Sequence, residues 1–304
     1  MVSQPWEDHQ LVFVGGLHRS GTTVLAEMIA SARSASGLEN TGVMMDEGQF
    51  LQDVYPLGQK HQPGGLVGGV ARWAMDPRAH MLTGDAPEPG VLARRLWDSW
   101  SPYWNLTSHY LIEKSPANML KPLFLQEIFP TASFVFITRH PVTQALAVRK
   151  WADIRSGRIT AGLPRIVENW VHAHELLRAD LTQVRRATIV QYEQLVTDPR
   201  SVAEHLEEFV GLDPGSISRE GLSAARASEY EEEWSSTSPL LWPSRIGKAF
   251  SRAGRRPWTA LDDSARIVLD TILLPRYKRV LRARFEDRVR RLGYDITSFD
   301  RHLE

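Results

Sequence analysis

Residues 11–30, LVFVGGLHRSGTTVLAEMIA, set an apolar run, a glycine-bearing turn and an apolar-periodic stretch in immediate succession. The periodicity predicts a strand, a tight loop and a helix, the local pattern of a phosphate-binding loop. Gly16 to Gly21 supplies the G-x-x-x-x-G frame of a Walker A loop, and Thr23 takes its hydroxyl position. Thr22 stands where that loop carries its lysine, while a cation, Arg19, lies inside the loop. Backbone N–H groups between Gly16 and Thr23 can wrap an anion at the positive end of the helix, with Arg19, Ser20, Gly21, Thr22 and Thr23 around it. Such a loop is expected to hold something other than ATP with its magnesium.

The strand and helix signals continue to alternate. Short β-branched or aromatic runs fall at 11–14, roughly 35–38, 110–113, 133–138 and 187–191. Helical stretches are predicted at 22–32, 117–129, 141 to about 151, 166–179 and 200–210, the last closing on Gly211. This alternation predicts an α/β fold, a three-layer, doubly wound parallel sheet, over a single domain spanning 1–304 whose strand-and-helix frame covers 11–211. Two stretches break the pattern. Residues 52–107, rich in Gly, Pro and Trp, read as an irregular insertion of the kind that lines ligand clefts. Residues 228–304 pass from an acidic patch through a basic one into Arg-rich helical periodicity, a C-terminal cap.

Composition narrows the partners. Lys plus Arg equals Asp plus Glu at 36 each, so no overall field favours nucleic acid, and an anion site must arise from local clustering. Cysteine is absent, which excludes disulfides, thiolate nucleophiles and cysteine-ligated metals. No apolar run approaches the ~20 residues of a membrane span and no leader pattern opens the chain, so a cytoplasmic protein is expected. His172 and His174 are two apart on a predicted helix and share no face, and no H-E-x-x-H occurs, so no metal site is expected.

The run R-S-G-T-T after a strand and turn resembles the 5′-phosphosulfate loop of sulfotransferases that use 3′-phosphoadenosine 5′-phosphosulfate (PAPS), a family whose fold is similar to P-loop nucleotide kinases. The resemblance implies that Arg19 stands beside the oxygen bridging phosphate and sulfate. A second segment, SFVFITRHPVTQALAVRKW, resembles the family's 3′-phosphate motif, a strand followed by R-D-P and a serine eight residues after the arginine. It implies that Arg139 contacts the 3′-phosphate; His140 replaces the aspartate, and Ala147 stands in the serine's place. Thr143 and Arg149 are candidates to replace that serine. A third, TIVQYEQLVTDPRSVAEHL, is similar to the family's Y-E-x-L and D-P stretch, so that Tyr192 approaches the adenine. A fourth, SRAGRRPW, is similar in order to the loop that closes on the 3′-phosphate, pointing to Arg252 and Gly254, with Arg245 and Lys248 competing for that role.

Sulfuryl transfer to a hydroxyl also needs a general base, because an alcohol is a poor nucleophile. The segment SGLENTGVMMDEGQFLQ places Glu39, Asp46 and Glu47 after a predicted strand; Glu47 is favoured, in an irregular run whose glycine lets backbone approach, with Glu39 next. LIEKSP resembles the family's E-K-T/S-P segment and implies that Lys114 reaches the sulfuryl group. The resulting expectation is a metal-independent PAPS-dependent sulfotransferase that yields 3′-phosphoadenosine 5′-phosphate (PAP). Its acceptor is a small molecule, carbohydrate, glycolipid or protein hydroxyl or amine. A P-loop small-molecule kinase and a non-catalytic nucleotide-binding scaffold are the alternatives.

Overall fold

The alternation resolves into five parallel strands. In the computed structural model, which describes residues 4–57, 71–148, the backbone of 149–151, 162–218, 234 and 275–299, these are β1 (Gln10–Gly16), β2 (Ala35–Gly37), β3 (Tyr110–Lys114), β4 (Ser133–Thr138) and β5 (Ala187–Gln191). Their order across the sheet is β2-β3-β1-β4-β5, and every pairing is parallel. All six residues of β4 and six of the seven in β1 are buried. That is the mark of central strands covered on both faces, and it explains their continuous apolar runs. The flanking strands differ, with β2 only three residues long and β5 mostly half-buried.

The helices are α1 (Thr22–Ala30), α2 (Pro89–Trp100), α3 (Pro122–Ile128), α4 (Pro141–Trp151), α5 (Leu163–Asp180), α6 (Tyr192–Thr197) and α7 (Pro199–Val210), and residues 275–291 are also helical. Proline stands at the first turn of α2, α3 and α7, where its missing N–H is harmless. Asp198 caps α7 through its side chain, accepting from the Ser201 N–H, and Gly211 ends it in the left-handed region. The helix expected at 117–129 begins as a 3₁₀ turn, Pro116–Leu120, and becomes α3 only after Pro122.

Chain packing divides into two units, one of residues 1–63, 73–139 and 172–224, the other of 64–72, 140–171 and 225–304. The first holds the whole sheet. The described part of the stretch 52–107 is more regular than expected, since α2 lies within it and buries Ala93, Leu96, Trp97 and Trp100, which share one face of a 3.6-residue period. Trp73, Trp97, Trp100 and Trp104 are all core residues. Trp100 packs near Phe13 and Trp104 with ring centroids 6.0 Å apart in each case. In the second unit, Trp170 meets Tyr294 edge-on at 5.6 Å, and the His140 ring nitrogen Nε2 hydrogen-bonds the Asp295 carbonyl at 2.7 Å. Among the described residues no helix is long and apolar enough to cross a membrane.

Candidate active site

The strand order places three chain segments side by side at the C-terminal edge of the first unit's sheet. Gly16, the last residue of β1, pairs with Ile137 of β4, and Val14 pairs with Lys114 at the end of β3. The loop after β1, the residue Arg139 just past β4 and the end of β3 therefore meet where the order of connections reverses, the region in which open α/β sheets bind ligands.

The loop is shaped by two left-handed residues. Arg19 has φ 69° with its side chain exposed, and Gly21, the N-cap of α1, has φ 105°. A Cβ on Gly21 would lie 2.7 Å from Tyr192 Cδ2, so the glycine is what lets the tyrosine ring press against the loop. No side chain caps α1, leaving the first helical N–H groups without the partner a cap would supply. The Ser20 hydroxyl is fully buried and has no hydrogen-bond partner among the described residues. Thr22 is buried and Thr23 half-buried. His18 adds no charge, because desolvation of its ring, aided by the nearby Lys114 ammonium, lowers its pKa to about 4. The formal charge of the loop thus comes from Arg19. An uncapped helix N-terminus, an orphaned hydroxyl and an exposed arginine together fit a phosphate-bearing ligand.

Arg139 is buried, and its Nη1 donates to the Arg19 carbonyl at 3.0 Å. Its guanidinium lies 4.1 Å from the centroid of the Tyr192 ring, in cation–π contact. The structure thus brings Arg19, Gly21, Arg139 and Tyr192 into one cluster. Thr143 is buried and donates its hydroxyl to the His140 carbonyl at 3.0 Å, and Ala147 is buried in the second unit. The side chain of Arg149, together with Arg245, Lys248, Arg252 and Gly254, lies outside the described residues.

On the other side of the loop, Lys114 donates from Nζ to the Met45 carbonyl at 2.7 Å and lies 3.4 Å from Glu47 Oε1. Glu47 is buried, and its Oε2 accepts from Gln49 Nε2 at 2.5 Å. Opposite charges about 4 Å apart attract by about 4 kcal/mol at an effective dielectric of about 20. Desolvating each ion costs several kcal/mol. The two effects are comparable, and burial prevails: the Glu47 pKa is raised despite Lys114 and the Gln49 hydrogen bond. Asp46 moves the other way, its carboxyl held below the usual range by hydrogen bonds from the Thr41 hydroxyl and N–H. Glu39 is exposed. A cavity of about 370 Å³ is walled by Thr23, Glu39, Met45, Asp46 and Lys114, with Ala26, Leu38 and Ile112 among its apolar lining. Glu39 and Asp46 face this space directly, whereas Glu47 adjoins it through Lys114.

Several residues that hold this geometry escaped the sequence reading. Glu113 is buried between Ser115 Oγ and Asn118 Nδ2, and burial lifts its pKa to about 7. The Trp100 indole donates to the Gly48 carbonyl at 3.0 Å, and the Trp104 indole to the Ile112 carbonyl at 3.0 Å. Trp100 therefore braces the segment that carries Glu47, and Trp104 braces β3. A carboxylate at the end of an otherwise apolar strand was the available signal for Glu113; the indole contacts had none, being long-range.

Comparison with known proteins places the chain in a family. The profile of the sulfotransferase family matches residues 11–214. No curated protein sequence matches the chain. Among solved structures, a sulfotransferase from Alicyclobacillus acidocaldarius is 16% identical, with 75% of this chain and 90% of that one covered and a TM-score of 0.45. The sulfotransferase domain of the Synechococcus PCC 7002 olefin synthase is 22% identical, with 76% and 91% covered and a TM-score of 0.41. A retinol dehydratase solved with androsterone and the inactive cofactor PAP is 16% identical, with 76% and 65% covered and a TM-score of 0.36. With two thirds of its length matched by the family profile, the chain belongs to the sulfotransferase family.

Proposed function

We propose that the protein transfers a sulfuryl group from PAPS to an acceptor hydroxyl or amine bound in the cavity beside Lys114. The observation that carries this reading is the juxtaposition of an anion-ready loop after β1 with the Lys114–Glu47 pair at the end of β3. PAPS supplies an activated sulfuryl group whose leaving group is a phosphate. The N–H groups at the start of α1, with Ser20, Thr22 and Thr23, bind the 5′-phosphosulfate, and Arg19 neutralises charge at the bridging oxygen. Arg139 pairs with the 3′-phosphate while bracing the loop through the Arg19 carbonyl, and Tyr192 sits beside the adenine.

Glu47 accepts the acceptor's proton as the new oxygen–sulfur or nitrogen–sulfur bond forms and the bridging oxygen–sulfur bond breaks. Its raised pKa suits a base that operates near neutrality better than the depressed Asp46 does. Lys114 offers its ammonium to the sulfuryl oxygens. Glu39, which faces the cavity, is the second reading for the base. Calorimetric titration tests the nucleotide assignment: PAP is expected to bind more tightly than AMP or magnesium ATP. Tighter binding of magnesium ATP would favour a kinase.

A further inference from the structure

Glu113 lies two residues from Ser115 and next to Lys114, yet no step assigned above uses it. Its carboxylate is 1% exposed and fully engaged: Ser115 Oγ donates to Oε1 at 2.5 Å and Asn118 Nδ2 to Oε2 at 2.5 Å. Both donors lead elsewhere. Ser115 Oγ accepts the backbone N–H of Gln49 at 2.9 Å, and the Gln49 side chain in turn donates to Glu47 Oε2. Asn118 Nδ2 also donates to the Val14 carbonyl at 3.1 Å, on the strand that enters the phosphate-binding loop.

Steric contact points to the same anchor. A Cβ on Gly48 would fall 2.5 Å from Glu113 Oε1 and 2.7 Å from its Cγ, so the segment carrying Glu47 rests directly on this side chain. A buried carboxylate costs several kcal/mol unless it is fully hydrogen-bonded. Its retention in a strand that could end in an apolar residue calls for a role.

We infer that Glu113 is a positioning residue: through Ser115 and Gln49 it fixes the Glu47 carboxylate beside Lys114, and through Asn118 it ties that arrangement to β1. The inference rests on the reading of Glu47 as the base. Ser115, whose hydroxyl both accepts from the Gln49 N–H and donates to Glu113, orients the chain in one direction. Glu113→Gln preserves the shape but removes the charged acceptor: turned toward Asn118 Nδ2 its N–H₂ meets a donor, and turned toward Ser115 it makes the hydroxyl accept where it had donated. Ser115→Ala removes the middle of the chain and leaves Glu113 in place.

Hydrogen exchange of the PAP-bound protein, followed by mass spectrometry, tests this. In Glu113→Gln and in Ser115→Ala, amides in 44–51 are expected to exchange roughly tenfold faster or more, since the Ser115 bridge between the Glu113 carboxyl and the Gln49 N–H is lost or reoriented. Exchange in β1 and β4 should stay near the wild-type rate, and the Kd for PAP within about twofold. Gly48→Ala, which pushes the segment off Glu113, should give the same pattern. The double variant Glu113→Gln/Ser115→Ala should exceed neither single variant by much, because both cut one chain. Turnover of radiolabelled PAPS with a mixed pool of hydroxyl and amine acceptors should fall in each variant. If Glu113→Gln fails to fold, Ser115→Ala and Gly48→Ala decide. Wild-type exchange across 44–51 in these two would overturn the inference, as would acceleration spread evenly over the sheet or a loss of PAP affinity matching the loss of turnover. Absence of PAPS turnover in the wild-type protein would defeat the functional reading while leaving the exchange result standing.

Discussion

Arg19 and Arg139 meet at one carbonyl but are built for different tasks. Arg19 is exposed in a left-handed turn with its side chain free to reach a ligand, whereas Arg139 is buried, bonded to the loop and stacked on Tyr192. Arg19→Ala is therefore expected to lower turnover by roughly 10²-fold or more, the usual effect of removing a charge aimed at a transferring group. Near-normal turnover would remove it from the mechanism. Arg139→Gln should weaken PAP much more than AMP in calorimetry, since only PAP carries the 3′-phosphate. Equal weakening of the two would reduce Arg139 to a brace for the loop. Glu47 makes a prediction in pH. As a base it works deprotonated, and burial raises its pKa above the ordinary carboxylate value of 4.5, so turnover should rise with pH through that displaced value. Glu47→Gln should abolish this limb of the profile along with most of the activity, and its persistence would shift the role to Glu39.

Elements carry the site by meeting at few points. The β1–loop–α1 unit depends on Gly21, where any side chain meets both an unfavourable backbone conformation and the Tyr192 ring. Gly21→Ala should cost about 1–2 kcal/mol from the left-handed conformation alone, with a further cost as Tyr192 is displaced. Thermal melts with and without PAP check this: both the melting temperature and its rise on adding PAP should shrink. An unchanged PAP-induced rise would mean that the loop tolerates the shift and that Tyr192 lies away from the nucleotide. This unit was legible in the sequence because its signals are local: the apolar run, the glycines and the helical period lie within twenty residues. The α2 helix was legible in principle, from the spacing of Ala93, Leu96, Trp97 and Trp100, but the glycines and prolines around it masked the period. Glu113 and Gly48 were harder. Their contact joins positions 65 residues apart, and neither residue type announces a partner at that range.

At the scale of the whole molecule, equal numbers of acidic and basic residues mean that no net charge would gather the proposed anionic donor. Attraction must come from the loop, the α1 N-terminus and the few cations set around them. The parallel sheet and its doubly wound character followed from the alternation of strand and helix signals. The β2-β3-β1-β4-β5 order, which sets Lys114 beside Val14, is a tertiary fact that local periodicity does not encode. On the proposed reading, Thr22 can stand where a kinase loop has lysine because other cations take over its task. These are proposed to be Arg19, within the loop, and Lys114, at the end of the strand beside β1. A sulfuryl group carries less charge than a γ-phosphoryl group, so these cations and the helix dipole are proposed to suffice without magnesium. The most direct measurement is transfer from radiolabelled PAPS to a mixed pool of hydroxyl and amine acceptors in excess EDTA. Label is expected to move to acceptor at the rate seen without chelator, with PAP released in equal amount. Activity abolished by EDTA and restored by magnesium would contradict a metal-independent sulfotransferase and point to a phosphotransferase.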